Sequence, residues 1–453
     1  MRILIKNGEI LLEEDGKLVV KKGDVVVDGT RIGEVRVGSG VDDAGLDGVI
    51  VADKGDGAGF DKVIDATDKL VMPGLINAHT HAYMSIFRNF ADDLEFFDWL
   101  HKVEVVEDRM TSEDCYWASL LSITEMMKTG TTCFVDMCLR SQVGEMSGPK
   151  GAVSGAVNDS GMRAFIGRGL VEEADSPGAQ RRLNEFLADY ELNKGSDRVK
   201  YILAPHAPYS SPQSLLRLVR EIGLEKGLLA TIHIAESDAE VEGIMEKYGV
   251  TPVQYVADSG LFDLPTIGAH LVKATDEDIK ILKERGVSVA INPRSNMKLG
   301  NGFASVRKFL EAGVNVCLGT DGSGSNNVQN MFQEMNFASL VYKGAEGKAK
   351  CVDAEEVVRF ATVNGAKALG MEGELGVISE GALADLILLD LNVPEFIPRN
   401  DLVSALCYSA NGSEVVTMLV NGEVVMEDRK ILTFDENEVY VKCEEIAKRL
   451  GMN

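Results

Sequence analysis

Residues 70–81 read LVMPGLINAHTH, an apolar run that ends on two histidines separated by one residue. Successive side chains on a β-strand point to opposite faces, so His79 and His81 share a face and reach toward one ion. The chain has six histidines, and five stand where an expected strand runs out into a loop. These are His79, His81, His206 in HAP, His233 in HIAE and His270 in GAHLV, with Asp321 following in GTDGSGSNN. His233 and Asp321 would add a third nitrogen and an oxygen to the first pair. Imidazoles and a carboxylate converging from strand ends make a metal site, and an open coordination position makes it catalytic. Zn²⁺ suits this donor set, with Fe²⁺ as the alternative. His101 is the contrast: it follows Trp99-Leu100 in a helical stretch, away from any strand end, and reads as structural.

Eight short apolar runs alternate with amphipathic stretches between residues 68 and 373. They are LVMPGLINAHTH, TTCFVDM, RAFIGRGLV, KYILAPHAP, LATIHIAE, TIGAHLV, VSVAINP and NVCLGTDG. Their spacing leaves room for one strand and one helix each, and SPQSLLRLVREIGLEKG and SVRKFLEAG read as two of the helices. Eight such units predict an α/β fold built as a (β/α)₈ TIM barrel. In order, the strand ends carry His79/His81, Asp136, Arg168, His206, His233, His270, Asn292 and Asp321. A barrel builds its active site at these ends, and a purely structural one would not need eight polar residues there. Residues 1–67 and 374–453 read instead as short strands and turns. They predict a small β-sandwich domain completed by both ends of the chain, with the Gly- and Asp-rich stretch 38–60 as a surface excursion.

The net charge of −25 argues against nucleic acid or an anionic membrane as partner. No apolar stretch is long enough for a membrane span, and the opening MRILIKNG turns polar too early for a secretion signal. The seven scattered cysteines contain no C-x-x-C pair and read as free thiols in a reducing cytoplasm.

The segments PGLINAHTHAYMS, GTTCFVD, HAPYSSP, HIAES, NMKLGNG, LGTDGSGSNN and GALADLILLD together resemble the amidohydrolase superfamily. Within it they are similar to deaminases of S-adenosylhomocysteine, methylthioadenosine and 5′-deoxyadenosine. The resemblance implies one divalent metal per chain, held by His79, His81, His233 and Asp321, with a metal-activated water as nucleophile. It implies that Asp321 takes the proton of that water. Glu236 would protonate the purine ring nitrogen beside the carbon attacked, and His270 would stabilise the tetrahedral centre. A plainer reading of Glu236 is a carboxylate at a helix start beside Ser237. No lysine ends an early barrel strand where it would bridge two metals, which favours a mononuclear site.

The same resemblance assigns substrate contacts. Glu107 would bind the ribose diol, with Glu104 as rival because WLHKVEVVEDRM is one residue short of the family pattern. His206 and Ser325 would contact the purine. Arg168 and Arg182 would hold a substrate carboxylate, a role that suits a guanidinium fork; alternatively Arg182 only decorates a helix, as Arg181 does. Ile291 stands where the family often has a histidine. The expected function is hydrolytic deamination of an adenine nucleoside, with another heterocycle (guanine, a pterin, cytosine or a triazine) as the alternative. The expected assembly is a cytoplasmic homo-oligomer.

Overall fold

The computed structural model describes residues 1–38, 59–139 and 152–452. The stretch expected as a surface excursion lies outside the described residues, its end residues apart. All eight expected runs form strands: Leu75–Thr80, Thr131–Cys138, Arg163–Leu170, Val199–Pro205, Leu229–Ile234, Thr266–His270, Ser288–Ile291 and Val316–Leu318. Each is bonded to the next in chain order. Side chains help to join the first and last. Asn77 Nδ2 donates to Thr320 Oγ1 at 2.7 Å, and Thr320 N–H donates to Asn77 Oδ1 at 3.0 Å. One residue on, Asp321 N–H donates to the His79 carbonyl at 2.9 Å. The eighth strand therefore ends with Asp321 beside the His-x-His pair.

Side-chain alternation sorts these strands into two layers. Ile76, Ala78, Cys133, Val135, Phe165 and Ile202 pack together inside the barrel. Ala164, Ile166 and Leu203 take the other parity and pack under the helices. With both faces covered, the strands read as unbroken apolar runs. The helices follow from ordinary signals. Gln213–Lys226 buries Leu215, Leu216, Val219 and Gly223 and stops at Gly227, whose φ of 67° closes the turn. Asp238–Tyr248 begins at Ser237, whose hydroxyl accepts from Glu240 N–H.

Strands from both termini form one nine-stranded sheet, in which Lys69–Pro73 lies between Arg2–Glu14 and Leu386–Asp390. Its residues Ile3, Ile5, Val25, Val27, Leu386 and Leu388 share a core separate from the barrel's. Two details move the expected domain limits. Lys69–Pro73 belongs to this sheet, and the barrel begins only after Gly74. There a Cβ would stand 2.0 Å from the Thr132 hydroxyl, so only glycine lets the chain pass from sheet to barrel. At the other end, Glu436–Leu450 is a helix, not a strand. Its buried Val439, Cys443, Ile446 and Leu450 form a helical stripe. The helix rests on the barrel helix Ser112–Lys128, with Lys128 Nζ 2.6 Å from Glu436 Oε2.

The barrel's lower end is tied to the sheet by a buried ion pair. Arg163 Nε donates to Asp385 Oδ2 at 2.7 Å, and Arg163 Nη2 donates to Asp385 Oδ1 at 3.0 Å. Nη2 also reaches Asn421 Oδ1, and Nη1 donates to the Asp197 carbonyl. No helix among the described residues is long and apolar enough to cross a membrane.

Candidate metal centre

His79, His81, His233 and Asp321 are buried, and one donor atom from each lies within 4.8 Å of all the others. Their hydrogen bonds decide what those atoms can do. His81 Nδ1 donates to the Met137 carbonyl at 2.6 Å, and His233 Nδ1 donates to the His206 carbonyl at 2.9 Å. Both Nε2 atoms are then lone-pair acceptors, and they face each other at 3.0 Å. Two lone pairs that close repel unless a proton or a metal cation stands between them. Against the effect of burial, Asp321, 3.3 Å from His81 Nε2, raises the His81 pKa, so this spot favours positive charge. His79 makes the point more sharply, because both of its ring nitrogens are buried without a hydrogen-bond partner. Burial lowers its pKa to about 4 and takes that of His233 well below its ordinary value. Both rings are neutral at pH 7, the form that ligates metal. Asp321 turns Oδ1 toward the imidazoles, 3.5 Å from His79 Nε2 and 3.3 Å from His81 Nε2. Its Oδ2 accepts from Ser295 Oγ at 2.6 Å and Ser325 Oγ at 2.7 Å. One carboxylate oxygen is anchored and the other faces the centre. The donor set fits a divalent ion.

Next to this group lies an acid–base pair. Glu236 is buried, and burial, reinforced by Asp321, pushes its pKa well above the ordinary carboxylate range. Asn301 Nδ2 donates to Glu236 Oε1 at 3.1 Å. The Glu236 backbone is held by Glu240, whose buried carboxylate accepts from the N–H groups of Ala235 and Glu236 at 2.9 and 2.8 Å. His270 Nδ1 lies 2.8 Å from Asn296 Oδ1, an acceptor that draws the ring proton to Nδ1 and leaves Nε2 as acceptor. Ala235, His270 and Asp321 have φ of 51°, 74° and 61°. Non-glycine residues held in this region of the backbone mark places where a side chain is needed despite the strain.

The remaining expected residues divide. His206 and Glu107 line the same cavity as His81, His233, Glu236, His270 and Asp321, whereas Glu104 is exposed. His206 Nδ1 bonds Ser210 Oγ at 2.7 Å, and burial lowers its pKa to about 3. Ser325 holds Asp321, as above. Arg168 has the parity of Ala164 and Ile166, so it faces the helices and lines a different cavity, about 700 Å³, beside Pro177–Leu192. Its Nε lies 2.9 Å from Glu185 Oε2, and its Nη1 donates to the Cys138 and Leu139 carbonyls. Arg182 pairs with Glu172 at 2.8 Å. The two arginines thus have different carboxylate partners and form no fork. His101 is exposed on its helix.

Sequence reasoning assigned no role to Ser295, Asn296 and Asn301, which hold Asp321, His270 and Glu236 respectively. Their signal was three polar side chains within one short stretch, RSNMKLGN, directly after the seventh strand. Glu240 and Tyr83 were also missed.

The amidohydrolase family model matches residues 70–425. A 5-methylthioadenosine/S-adenosylhomocysteine deaminase of Caldanaerobacter subterraneus subsp. tengcongensis is 44% identical over 453 residues, covering 99% of each chain. A protein of the same name from Thermoanaerobacter pseudethanolicus is 40% identical, again over 99% of each. Among solved structures, a zinc-bound adenosine deaminase from Xanthomonas campestris superposes with a TM-score of 0.88 at 27% identity, over 100% of this chain and 99% of that one. A zinc-bound atrazine chlorohydrolase from Arthrobacter aurescens gives 0.85 at 21% identity, covering 98% and 99%, a likeness of fold alone.

Proposed function

The chain belongs to the amidohydrolase family and is an aminohydrolase; we propose that it hydrolytically deaminates adenine nucleosides modified at the 5′ position, giving the inosine analogue and ammonia. Methylthioadenosine and S-adenosylhomocysteine, after which its relatives are named, come first as substrates. The observation that carries this reading is a cluster of four converging donor atoms beside a buried carboxyl, Glu236, whose pKa burial pushes upward.

His79, His81 and His233 would hold one ion through imidazole nitrogens and Asp321 through Oδ1, with Zn²⁺ the metal of choice and Fe²⁺ the alternative. A divalent ion there supplies a Lewis-acidic centre at which water ionises near neutral pH. Asp321, whose carboxylate stands at that centre, would take the proton given up by the water. Glu236 delivers its proton to the ring nitrogen next to the carbon that carries the amino group, while His270 Nε2 accepts a hydrogen bond from the attacking hydroxyl. The amino group leaves as ammonia with the proton taken from Asp321. The new hydroxyl returns its own proton to Glu236 as the carbonyl forms. Asn301 and Glu240 keep Glu236 in reach throughout, and Ser295 and Ser325 keep Asp321 from rotating away.

At the substrate's other end, Glu107 accepts from the ribose hydroxyls and His206 lies along the purine. Arg168 and Arg182 are the groups proposed for a tail carboxylate. Arg182 is the readier of the two, because its partner Glu172 is half exposed and such a pair is weak enough to exchange. The protein so described is a cytoplasmic homo-oligomer acting on a small nucleoside. Ammonia release from purine nucleosides, free bases and pterins, measured with zinc-loaded and iron-loaded protein, tests the reading. Turnover of adenine nucleosides is expected. Turnover of guanine or a pterin alone overturns it.

A further inference from the structure

The wall of the metal cavity is uneven. His81, His233, His270 and Asp321 stand at strand ends, where the barrel ladder fixes them. The helix Phe96–Glu107 contributes Phe96, Trp99, Leu100 and Val103 to the same cavity. Their spacing of three and four residues makes one apolar stripe, while His101 and Val105 on the opposite side are exposed. This helix is the cavity's apolar roof. Just past its carboxyl-terminal end, Arg109 Nη2 donates to the Leu450 carbonyl at 2.8 Å. Its other end is tied down through Lys298, in the stretch RSNMKLGN that follows the seventh strand.

Lys298 Nζ donates to Asp92 Oδ1 at 2.5 Å, to Asn327 Oδ1 at 2.9 Å and to the Gly324 carbonyl at 3.3 Å. An ammonium has three N–H groups, and these three acceptors use all of them. The Gly324 carbonyl takes a second bond, from the Trp99 indole N–H at 3.0 Å. Asn327 Nδ2 donates to Asp92 Oδ1 at 3.2 Å, which closes a ring around the ammonium. Asp92 lies four residues before the roof helix, and Gly324 lies three residues beyond Asp321. One side chain therefore joins the segments that follow the first, seventh and eighth strands of the barrel. Ser295, Asn296 and Asn301 hold Asp321, His270 and Glu236 by bonds that do not pass through Lys298. We propose that Lys298 is a positioning residue: it clasps the apolar roof over the metal group, and so sets how tightly the nucleoside is enclosed. The clasp stands on this geometry alone, whereas the nucleoside as occupant rests on the proposed function.

The chain has two tryptophans, so W117F leaves Trp99 as the sole indole and as a reporter of the roof. Acrylamide quenching of Trp99 is measured in the zinc-loaded W117F protein and in its K298M, D92A and K298M/D92A derivatives. For each, kcat and KM for adenosine and the melting temperature are measured as well. K298M and D92A should each raise the quenching constant about threefold, and together no more than K298M alone, because both break one clasp. In K298M, KM should rise about tenfold while kcat stays within about threefold, as for a group that supports binding and not the chemical step. K298R keeps the charge and the donors, and its KM should lie closer to wild type than to K298M. Unchanged quenching in both single variants overturns the clasp, whatever happens to turnover; D92A serves if K298M does not fold. Raised quenching with unchanged KM overturns the positioning role. A fall in kcat that matches the rise in KM, with K298R no better than K298M, makes Lys298 a structural joint only. If wild type deaminates no adenine nucleoside while quenching responds as predicted, the proposed function falls and the clasp stands.

Discussion

The two ends of the barrel bury comparable charge and treat it in opposite ways. At the lower end the Arg163 guanidinium spends its N–H groups on Asp385, Asn421 and a carbonyl. At the upper end three imidazoles and a carboxylate converge while His79 has neither nitrogen bonded. Satisfied burial is architecture, since every polar group has its partner. Unsatisfied burial beside strained backbone at His270 and Asp321 costs stability, and the combination points to chemistry. The presence of buried charge says little; what separates this site from this joint is that the unbonded His79 nitrogens stand among other donor atoms converging on one point.

The contrast is most exposed to failure at Asp321. Asp321→Asn and His79→Ala should each lower kcat by about 10³-fold or more, with metal content falling well below one ion per chain by elemental analysis. Protein purified with zinc and iron available that carries neither would break the comparison at its upper end. Glu236→Gln comes next, with a loss of about 10²–10⁴ in kcat at unchanged metal content, since Gln keeps the shape but has no proton to give. Near-native turnover there would remove Glu236 from the chemistry. The lower end should respond in the other currency. Asp385→Ala strands the buried Arg163 and should cost about 3–5 kcal/mol in denaturant unfolding, while kcat per folded molecule stays within a few-fold. A large kcat loss without loss of stability would show that the two ends are not separable. The smallest effect sharpens the picture at the periphery. Arg182→Met and Arg168→Met should each weaken kcat/KM for S-adenosylhomocysteine by about 1.5–3 kcal/mol, the range for a charge-assisted contact, and spare methylthioadenosine. A common loss on both substrates would place that arginine with Arg163, among the joints.

Much of this was legible in the sequence because strand parity is simple. His79 and His81 share a face by spacing alone, and each of the other converging residues sits at the end of a run whose apolar character shows burial on both sides. Parity also bears on Arg168, whose proposed contact with a substrate tail awaits the Arg168→Met test. In RAFIGRGL this arginine alternates with Phe165, which lies in the barrel interior, so it falls on the helical side with Ala164 and Ile166. The passage from sheet to barrel at Gly74 was hidden inside one continuous apolar run, because both neighbouring strands are buried. Glu436–Leu450 was hidden by the strands before it, although its apolar spacing is helical. The bonds of Ser295, Asn296 and Asn301 depend on where a loop folds over the barrel mouth, and no local period encodes that.

The place of Lys69–Pro73 in the terminal sheet has a consequence for the making of the protein. One neighbour, Arg2–Glu14, precedes it in the chain, but the other, Leu386–Asp390, leaves the ribosome only after the whole barrel has been synthesised. At about 5–20 residues per second that delay is roughly 15–60 s, during which an apolar strand edge waits without its partner. The amino-terminal strands are thus an unfinished template throughout most of synthesis, and the last 70 or so residues act as the seal. A chain truncated before Leu386 would retain every residue of the metal group and still carry an open, sticky edge, so its failure would be aggregation before it was ever a loss of catalysis.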